Sequence, residues 1–224
     1  MGQTIGLKAS DGFLLGGYRA DPAGKPKGGL VVIQEIFGVN HHIRNVCDRF
    51  AAEGYAAVAP AMFDRAKADV ALDAYDEAAM KEGVKLRAAI KLEDSLKDVQ
   101  AAIDAAKSVG RVGLVGYCWG GSLAFLAAAR LTGLACAVGY YGGMIARHAD
   151  EKPKVPTILH FGEQDQGIPM SDVEKIKAAR PEVKVYTYPA DHGFSCDERG
   201  EFEPASHEKA LKVTLAFFRQ NLEN

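Results

Sequence analysis

The chain has 224 residues, of which 48% are hydrophobic and 25% are charged, and its formal net charge is −2 at pH 7. This composition is ordinary for a soluble globular protein, and so small a charge argues against nucleic acid or an anionic membrane surface as the main partner. No apolar stretch approaches the roughly 20 residues of a membrane span, and the N-terminus lacks the apolar run of a signal peptide.

Strands and helices alternate along most of the chain, and the first two strands flank a Ser-Asp-Gly turn as a hairpin. The predicted strands are Thr4–Lys8, Phe13–Tyr18, Leu30–Gln34, Tyr55–Ala59, Arg111–Gly116, Leu134–Tyr140, Thr157–Phe161 and Val183–Tyr188. The predicted helices are Ile43–Glu53, Leu86–Val109, Gly120–Leu131, Ser171–Arg180 and His207–Asn221, and Met62 to about Lys81 is predicted to be a loop followed by a helix. This alternation predicts an α/β fold with a mostly parallel sheet and helices on both faces.

The chain shows no internal repeat, low-complexity tract or linker, so we expect one domain over residues 1–224. Its four cysteines contain no CxxC pair. In a chain of this size they favour reduced thiols, and hence a cytoplasmic location, over a disulfide framework. No oligomerisation element is evident, and a monomer is the expectation.

The most informative segment is Gly-Tyr-Cys-Trp-Gly at 116–120, which follows an apolar strand and opens a helix. This is the setting of a nucleophile elbow, a turn so sharp that its central residue is strained and projects above the sheet. The flanking glycines are needed because a Cβ there would collide with the neighbouring strand or helix. Cysteine in place of the usual serine predicts a thioester on Cys118. The alternative is that Cys118 is a small buried hydrophobic residue.

An acid and a base follow two later strands. Ligands bind beyond the carboxyl ends of the strands in such a sheet, and Asp165 and His192 lie just after two of these ends. The order Cys118, Asp165, His192 is the nucleophile–acid–base order of α/β-hydrolases. His192 is therefore the predicted general base, and Asp165 is predicted to fix its tautomer.

Other residues could hold these two roles. Glu163 is the alternative acid, whereas Asp191 is left out because adjacent side chains usually diverge. The competing histidines are His160, predicted to be a packed core residue, His41 and His42, predicted to be solvated or capping residues where a loop opens a helix, and His148 and His207.

An oxyanion needs two backbone N–H donors, and Trp119 and Ile36 are the predicted pair. The chain has no HExxH, P-loop or GxGxxG motif. We therefore expect neither a metal nor an organic cofactor in the reaction.

Several segments together resemble the dienelactone hydrolase (carboxymethylenebutenolidase) family. They are Gln-Glu-Ile-Phe-Gly-Val-Asn from residue 34, Ala-Glu-Gly-Tyr from 52, Ala-Pro at 59, Gly-Tyr-Cys-Trp-Gly-Gly from 116 and His-Gly-Phe from 192. The resemblance runs from about residue 5 to residue 220. It implies an α/β-hydrolase fold without a large cap and a triad of Cys118, His192 and Asp165. It further implies that Glu35 contacts the resting thiol and helps to take its proton.

The resemblance also implies a small-molecule lactone or activated ester as the substrate, with a dienelactone-like compound most favoured. Dienelactone carries a free carboxylate that arginines bind, and Arg65 is the predicted anchor, with Phe37 as a second substrate-binding residue. Cys196 stands where the family has its second arginine, and Arg199 follows three residues later. The alternatives are a thioesterase or general carboxylesterase with the same triad, or a ligand-binding or redox-sensing protein without turnover.

Overall fold

A computed structural model describes residues 2–223, and eight strands form one sheet within them. The strands are β1 (Gln3–Lys8), β2 (Leu14–Ala20), β3 (Gly29–Ile33), β4 (Ala56–Pro60), β5 (Val112–Tyr117), β6 (Leu134–Tyr140), β7 (Thr157–Gly162) and β8 (Lys184–Tyr188). Their order in the sheet is β1-β2-β4-β3-β5-β6-β7-β8. Only the β1–β2 and β2–β4 pairs are antiparallel. The predicted hairpin and the mostly parallel sheet are thus confirmed.

Residues 2–223 also contain six α-helices. They are α1 (His41–Ala52), α2 (Glu77–Ala88), α3 (Leu92–Ala106), α4 (Trp119–Arg130), α5 (Met170–Ala179) and α6 (Pro204–Leu222). One core cluster contains apolar residues of α1, α5 and α6, and the second contains those of α3. The predicted helical layers on both faces of the sheet are therefore present, and the described residues contain no large cap domain. Among the described residues, no helix is both long and apolar enough to cross a membrane.

The predicted helix Leu86–Val109 is in fact divided between two helices. α2 begins earlier, where the Asp76 side chain accepts the backbone N–H of Ala79 at 2.8 Å, and it ends at Ala88. The backbone is extended at Lys91, and α3 then starts with Glu93 and Asp94 in its first turn. Acidic residues at that position stabilise a helix N-terminus, which explains why a new helix begins here. The apolar periodicity continues across the break and does not indicate it.

The strand order places a switch point next to β3. This strand pairs with β4 on one side and with β5 on the other, so the chain reverses its direction of winding there. Both β3 and β5 are buried along their whole length, as expected for central parallel strands. Open α/β sheets bind ligands at such a point, beyond the carboxyl ends of the strands. Glu35, Ile36 and Cys118 lie there.

Candidate active site

Cys118 occupies the turn between β5 and α4 with φ 54° and ψ −113°. A positive φ is strained for a residue with a side chain, and the neighbouring glycines explain how the turn can form. A Cβ on Gly116 would lie 1.9 Å from the carbonyl oxygen of Gly120, and one on Gly120 would lie 2.4 Å from that of Ile33. The turn therefore requires both glycines, and it leaves Cys118 partly exposed above the sheet.

The imidazole of His192 lies between the thiol and a carboxylate. Its Nε2 is 3.1 Å from Cys118 Sγ, and its Nδ1 is 2.6 Å from Asp165 Oδ2. The second carboxylate oxygen of Asp165 accepts the backbone N–H groups of Gly167, at 2.8 Å, and Ile168, at 3.1 Å. The structure therefore brings together the predicted nucleophile, base and acid, which come from three different strand ends.

The alternative acids and histidines lie in other environments. Glu163 is exposed, and Asp191 accepts the backbone N–H of His192 at 2.6 Å instead of contacting its ring. His160 is fully buried and hydrogen-bonded to Tyr188 at 2.9 Å, which confirms it as a packed core residue. The expectation of a solvated or capping His42 is wrong, because α1 begins at His41 and turns His42 into the interior.

The electrostatic environment of His192 favours the imidazolium. Burial lowers its pKa, but the hydrogen bonds to Asp165 and Cys118 outweigh burial and raise the pKa to about 10. At neutral pH the ring therefore holds a proton on the nitrogen that faces the thiol sulfur. An imidazole in this position can exchange a proton with a neighbouring nucleophile.

Two backbone N–H groups border the same space. Trp119 is the first residue of α4, so its N–H has no acceptor within the helix. Within residues 2–223, the N–H of Ile36, which follows β3, has no hydrogen-bond partner. Both residues line one cavity with Cys118 and His192. The predicted pair of oxyanion donors is therefore close to the nucleophile.

This cavity has a volume of about 260 Å³ and a mixed lining. Its apolar wall comes from Ile36, Val84, Trp119, Met144 and Ile168, and its polar lining includes Ser122, Arg87 and Arg147. Sites for drug-sized ligands typically measure roughly 300–1,000 Å³. The cavity therefore suits a small acyl compound better than a long-chain ester.

The family model described as "Dienelactone hydrolase family" matches residues 15–222. The chain belongs to the dienelactone hydrolase family. It is 38% identical over 203 residues to a carboxymethylenebutenolidase from Pseudomonas putida, and the match covers 86% of each chain. The same identity and coverage are found with a carboxymethylenebutenolidase from Pseudomonas knackmussii. The chain is therefore a hydrolase that acts on ester or lactone bonds.

Solved structures agree with this assignment. A Klebsiella pneumoniae protein assigned as a dienelactone hydrolase has a TM-score of 0.85 and 27% identity, and the match covers 98% of this chain and 99% of that one. An esterase from Pyrococcus furiosus, at 14% identity, has a TM-score of 0.73 over 99% of this chain and 93% of that one. The second likeness shows the shared α/β-hydrolase fold.

Glu35, to which the dienelactone hydrolase resemblance gives a role at the thiol, is paired with Arg199 in the resting structure. It is only 2% exposed, and its carboxylate is 3.4 Å from the guanidinium of Arg199. Among the described residues no hydrogen bond joins Glu35 to Cys118, whose sulfur faces His192. Arg199 also passes over the ring of Phe37, with its guanidinium carbon 5.7 Å from the ring centroid.

Arg65, predicted from the family pattern to anchor a substrate carboxylate, is not placed to do so. Its guanidinium is 2.8 Å from Asp98 and 3.0 Å from Asp11, and it does not line the cavity. The physical reason is the burial of Asp98, whose side chain is 1% exposed and requires a cation. Phe37 is likewise buried, at 1% exposure, and its ring packs against Tyr75.

The cavity contains two cations that the sequence analysis did not single out. Arg87 comes from α2 and contacts Met144 Sδ at 2.9 Å, whereas Arg147 follows β6 and is exposed. Across residues 2–223 neither guanidinium is paired with a carboxylate. The segment after β6 could have been searched for polar groups like the ends of the other strands, and this would have found Arg147. Nothing in the periodicity of α2 marks Arg87.

Proposed function

We propose that this dienelactone hydrolase family member cleaves small lactones or activated esters through a thioester on Cys118. The proposal rests above all on one observation, the position of the His192 ring 3.1 Å from the thiol and 2.6 Å from Asp165. Nucleophilic catalysis needs such an activated thiol, and an adjacent base that is itself oriented by a third group.

The proposed reaction proceeds in two halves. The Cys118 thiolate attacks the carbonyl carbon, and the resulting oxyanion accepts hydrogen bonds from the backbone N–H groups of Trp119 and Ile36. Collapse of this intermediate breaks the carbon–oxygen bond, and the His192 imidazolium gives its proton to the departing oxygen. Water then loses a proton to His192 and attacks the thioester, which releases the acid and regenerates the thiolate.

Glu35 enters the proposal as an acid–base partner of the thiol. Its burial and its place directly before Ile36 at the end of β3 support such a role. Because its carboxylate faces Arg199 at 3.4 Å, it must exchange this partner for Cys118 before it can accept a proton from the thiol. The proposed proton transfer from Cys118 to Glu35 therefore belongs to the substrate-bound state and not to the resting state.

We further propose that the substrate is anionic, with its carboxylate bound by Arg87 and Arg147. These are the two guanidinium groups that line the cavity, and neither is paired with a carboxylate of the described chain. A planar guanidinium donates two parallel hydrogen bonds to a carboxylate, which fixes the orientation of a ligand as well as binding it. A dienelactone-like acid fits this combination of small volume and positive charge.

Mass spectrometry and steady-state kinetics test the two parts separately. Quenched turnover of p-nitrophenyl acetate should add one acetyl group to the wild-type protein and none to Cys118→Ala, which should also be inactive. An active Cys118→Ala protein would overturn the thioester mechanism.

The substrate class is tested with both isomers of dienelactone and with mono-p-nitrophenyl succinate, beside the neutral p-nitrophenyl butyrate. Arg87→Gln and Arg147→Gln should raise KM for the anionic compounds roughly 10–100-fold, because a charge-assisted hydrogen bond contributes roughly 1.5–3 kcal/mol, and should leave the neutral ester unaffected. Arg111→Gln is the matched control, since Arg111 precedes β5 at the opposite end of the strand. Equal effects on anionic and neutral esters would refute the anionic substrate and leave the thioester intact.

A further inference from the structure

Three side chains with metal-ligating atoms converge in the interior next to the candidate active site. They are Glu35, His42 and Cys196, and their ligating atoms lie within 4.8 Å of one another. Each comes from a different segment: the loop after β3, the first turn of α1 and the loop after His192. All three are buried, at 2%, 0% and 0% exposure. The reaction proposed above uses neither His42 nor Cys196.

The imidazole of His42 is held in an orientation that leaves one nitrogen unused. Its Nδ1 lies 3.2 Å from Asp197 Oδ1, and Asp197 also pairs with Arg49. Its Nε2 is buried and has no hydrogen-bond partner among residues 2–223. An unpaired buried nitrogen costs free energy unless something fills its place. A histidine whose one nitrogen donates to a carboxylate presents the lone pair of the other, which is the usual state of a metal-ligating imidazole.

We propose that Glu35, His42 and Cys196 form a binding site for a thiophilic divalent cation, Zn²⁺ in the first place. Zinc binds cysteine sulfur, histidine nitrogen and carboxylate oxygen at about 2.0–2.3 Å, so occupation draws the three ligands together. Asp197 and, through it, Arg49 act as positioning residues for the imidazole.

The charge and the donor types select this class of ion. The Cys196 thiolate and the Glu35 carboxylate supply two negative charges for a divalent cation, and Glu35 must give up its pairing with Arg199 to take part. Mg²⁺ and Ca²⁺ prefer oxygen ligands throughout, so sulfur and nitrogen donors exclude them. The thiol must lose its proton on binding, so we expect metal binding to release protons.

Burial distinguishes this site from a second nucleophilic centre. Cys196, His42 and Asp197 have the composition of a thiol, base and acid, yet the thiol is 0% exposed and does not line the cavity beside Cys118. A small ion can reach it through local opening or during folding, whereas an ester cannot. The inference does not depend on any catalytic role of Glu35, because it is tested by metal binding and not by hydrolysis.

The experiment uses Co²⁺ as a spectroscopic probe in Cys118→Ala protein, since the active-site thiol is itself a possible ligand. The protein is produced in medium supplemented with Co²⁺ and is also titrated after purification, because buried ligands load slowly. We expect one bound equivalent with a thiolate-to-cobalt charge-transfer absorption, and displacement of Co²⁺ by Zn²⁺. Asp197→Asn should weaken binding about 10–100-fold, as the loss of a partner of a ligand does.

Adding Cys196→Ser to Cys118→Ala should abolish the charge-transfer absorption. Adding Cys136→Ser, a change at another fully buried free cysteine, should leave it intact. His42→Gln supplies an independent loss-of-ligand variant should the circular dichroism spectrum show that the Cys196→Ser protein does not fold. No cobalt in Cys118→Ala protein from either route, or an absorption that survives both ligand changes, would overturn the proposal.

Discussion

Asp165 uses its two carboxylate oxygens for different purposes. One accepts two backbone N–H groups of the loop that follows β7, and the other faces the ring of His192 at 2.6 Å. The first set of contacts fixes the carboxylate, so the second can select the tautomer and orientation of the imidazole. A substitution of Asp165 that alters only the oxygen facing His192 can therefore leave the loop after β7 in place.

We therefore expect Asp165→Asn to lower kcat on the order of 10²–10⁴-fold, because the amide nitrogen cannot accept a hydrogen bond from the Nδ1–H of His192. The thermal midpoint should stay close to that of the wild type if the amide oxygen keeps the contacts with Gly167 and Ile168. Hydrolysis of p-nitrophenyl acetate measures kcat. Asp191→Asn is the control, since within residues 2–223 the Asp191 side chain accepts a hydrogen bond from the backbone N–H of His192 and none from its ring, and it should stay within a few-fold of the wild type. Equal losses in the two variants would contradict the role of Asp165.

At this scale the sequence predicts some site residues and not others, for a physical reason. Cys118, Asp165 and His192 each lie within four residues of the carboxyl end of a strand, so the direction of the sheet brings them to one edge. Arg65 and Arg87 have long side chains and lie in segments between strands. There the partner of a guanidinium depends on tertiary contacts. The burial of Asp98, which the sequence does not reveal, decides the position of Arg65.

At the scale of elements, the Arg65–Asp98 pair ties the segment after β4 to α3. Asp98 is on the buried side of α3, and burial raises its pKa even though the neighbouring Arg65 lowers it. Removal of one partner from such a pair leaves a buried charge without compensation. The pair therefore belongs to the stability of the fold and not to recognition of a substrate.

Arg65→Met should consequently destabilise the protein by about 3–5 kcal/mol while KM for mono-p-nitrophenyl succinate stays unchanged. Urea unfolding gives the first quantity, and kinetics at a temperature where the variant is folded gives the second. Arg130→Met, which removes a more exposed pair with Glu151, should cost at most about 1 kcal/mol. A raised KM in Arg65→Met without a loss of stability would restore Arg65 as the carboxylate anchor.

The elements themselves were predictable where one local signal dominates. The hairpin and the central strands have breaker residues at their ends and short apolar runs between them, and the structure has all of them. The stretch from Leu86 to Val109 contains a continuous helical periodicity, and only the acidic pair Glu93 and Asp94 marks the new N-terminus within it. Periodicity reports the buried face of a helix but not its ends.

At the scale of the whole molecule, two buried histidines should make the stability of the fold decrease at both low and high pH. Burial lowers the pKa of His160 to about 3. Burial also opposes the charged form of His192, but hydrogen bonds to Asp165 and Cys118 raise its pKa to about 10. An unfolded histidine has a pKa near 6.5, so the two shifts have opposite consequences.

Below about pH 6.5 the unfolded chain binds a proton at His160 that the folded protein does not bind. The stability should therefore fall as the pH decreases toward about 3. Above about pH 6.5 the folded protein holds a proton on His192 that the unfolded chain has lost, so stability should fall as the pH rises toward about 10. Urea unfolding between about pH 4 and pH 10, under reducing conditions, should therefore give a maximum near neutrality. His192→Gln should make the alkaline side shallower and leave the acid side as it is, whereas His160→Gln should do the reverse. An alkaline side that His192→Gln does not change would mean that the imidazolium of His192 does not stabilise the fold, and the proton proposed for the departing oxygen would then have to come from another group.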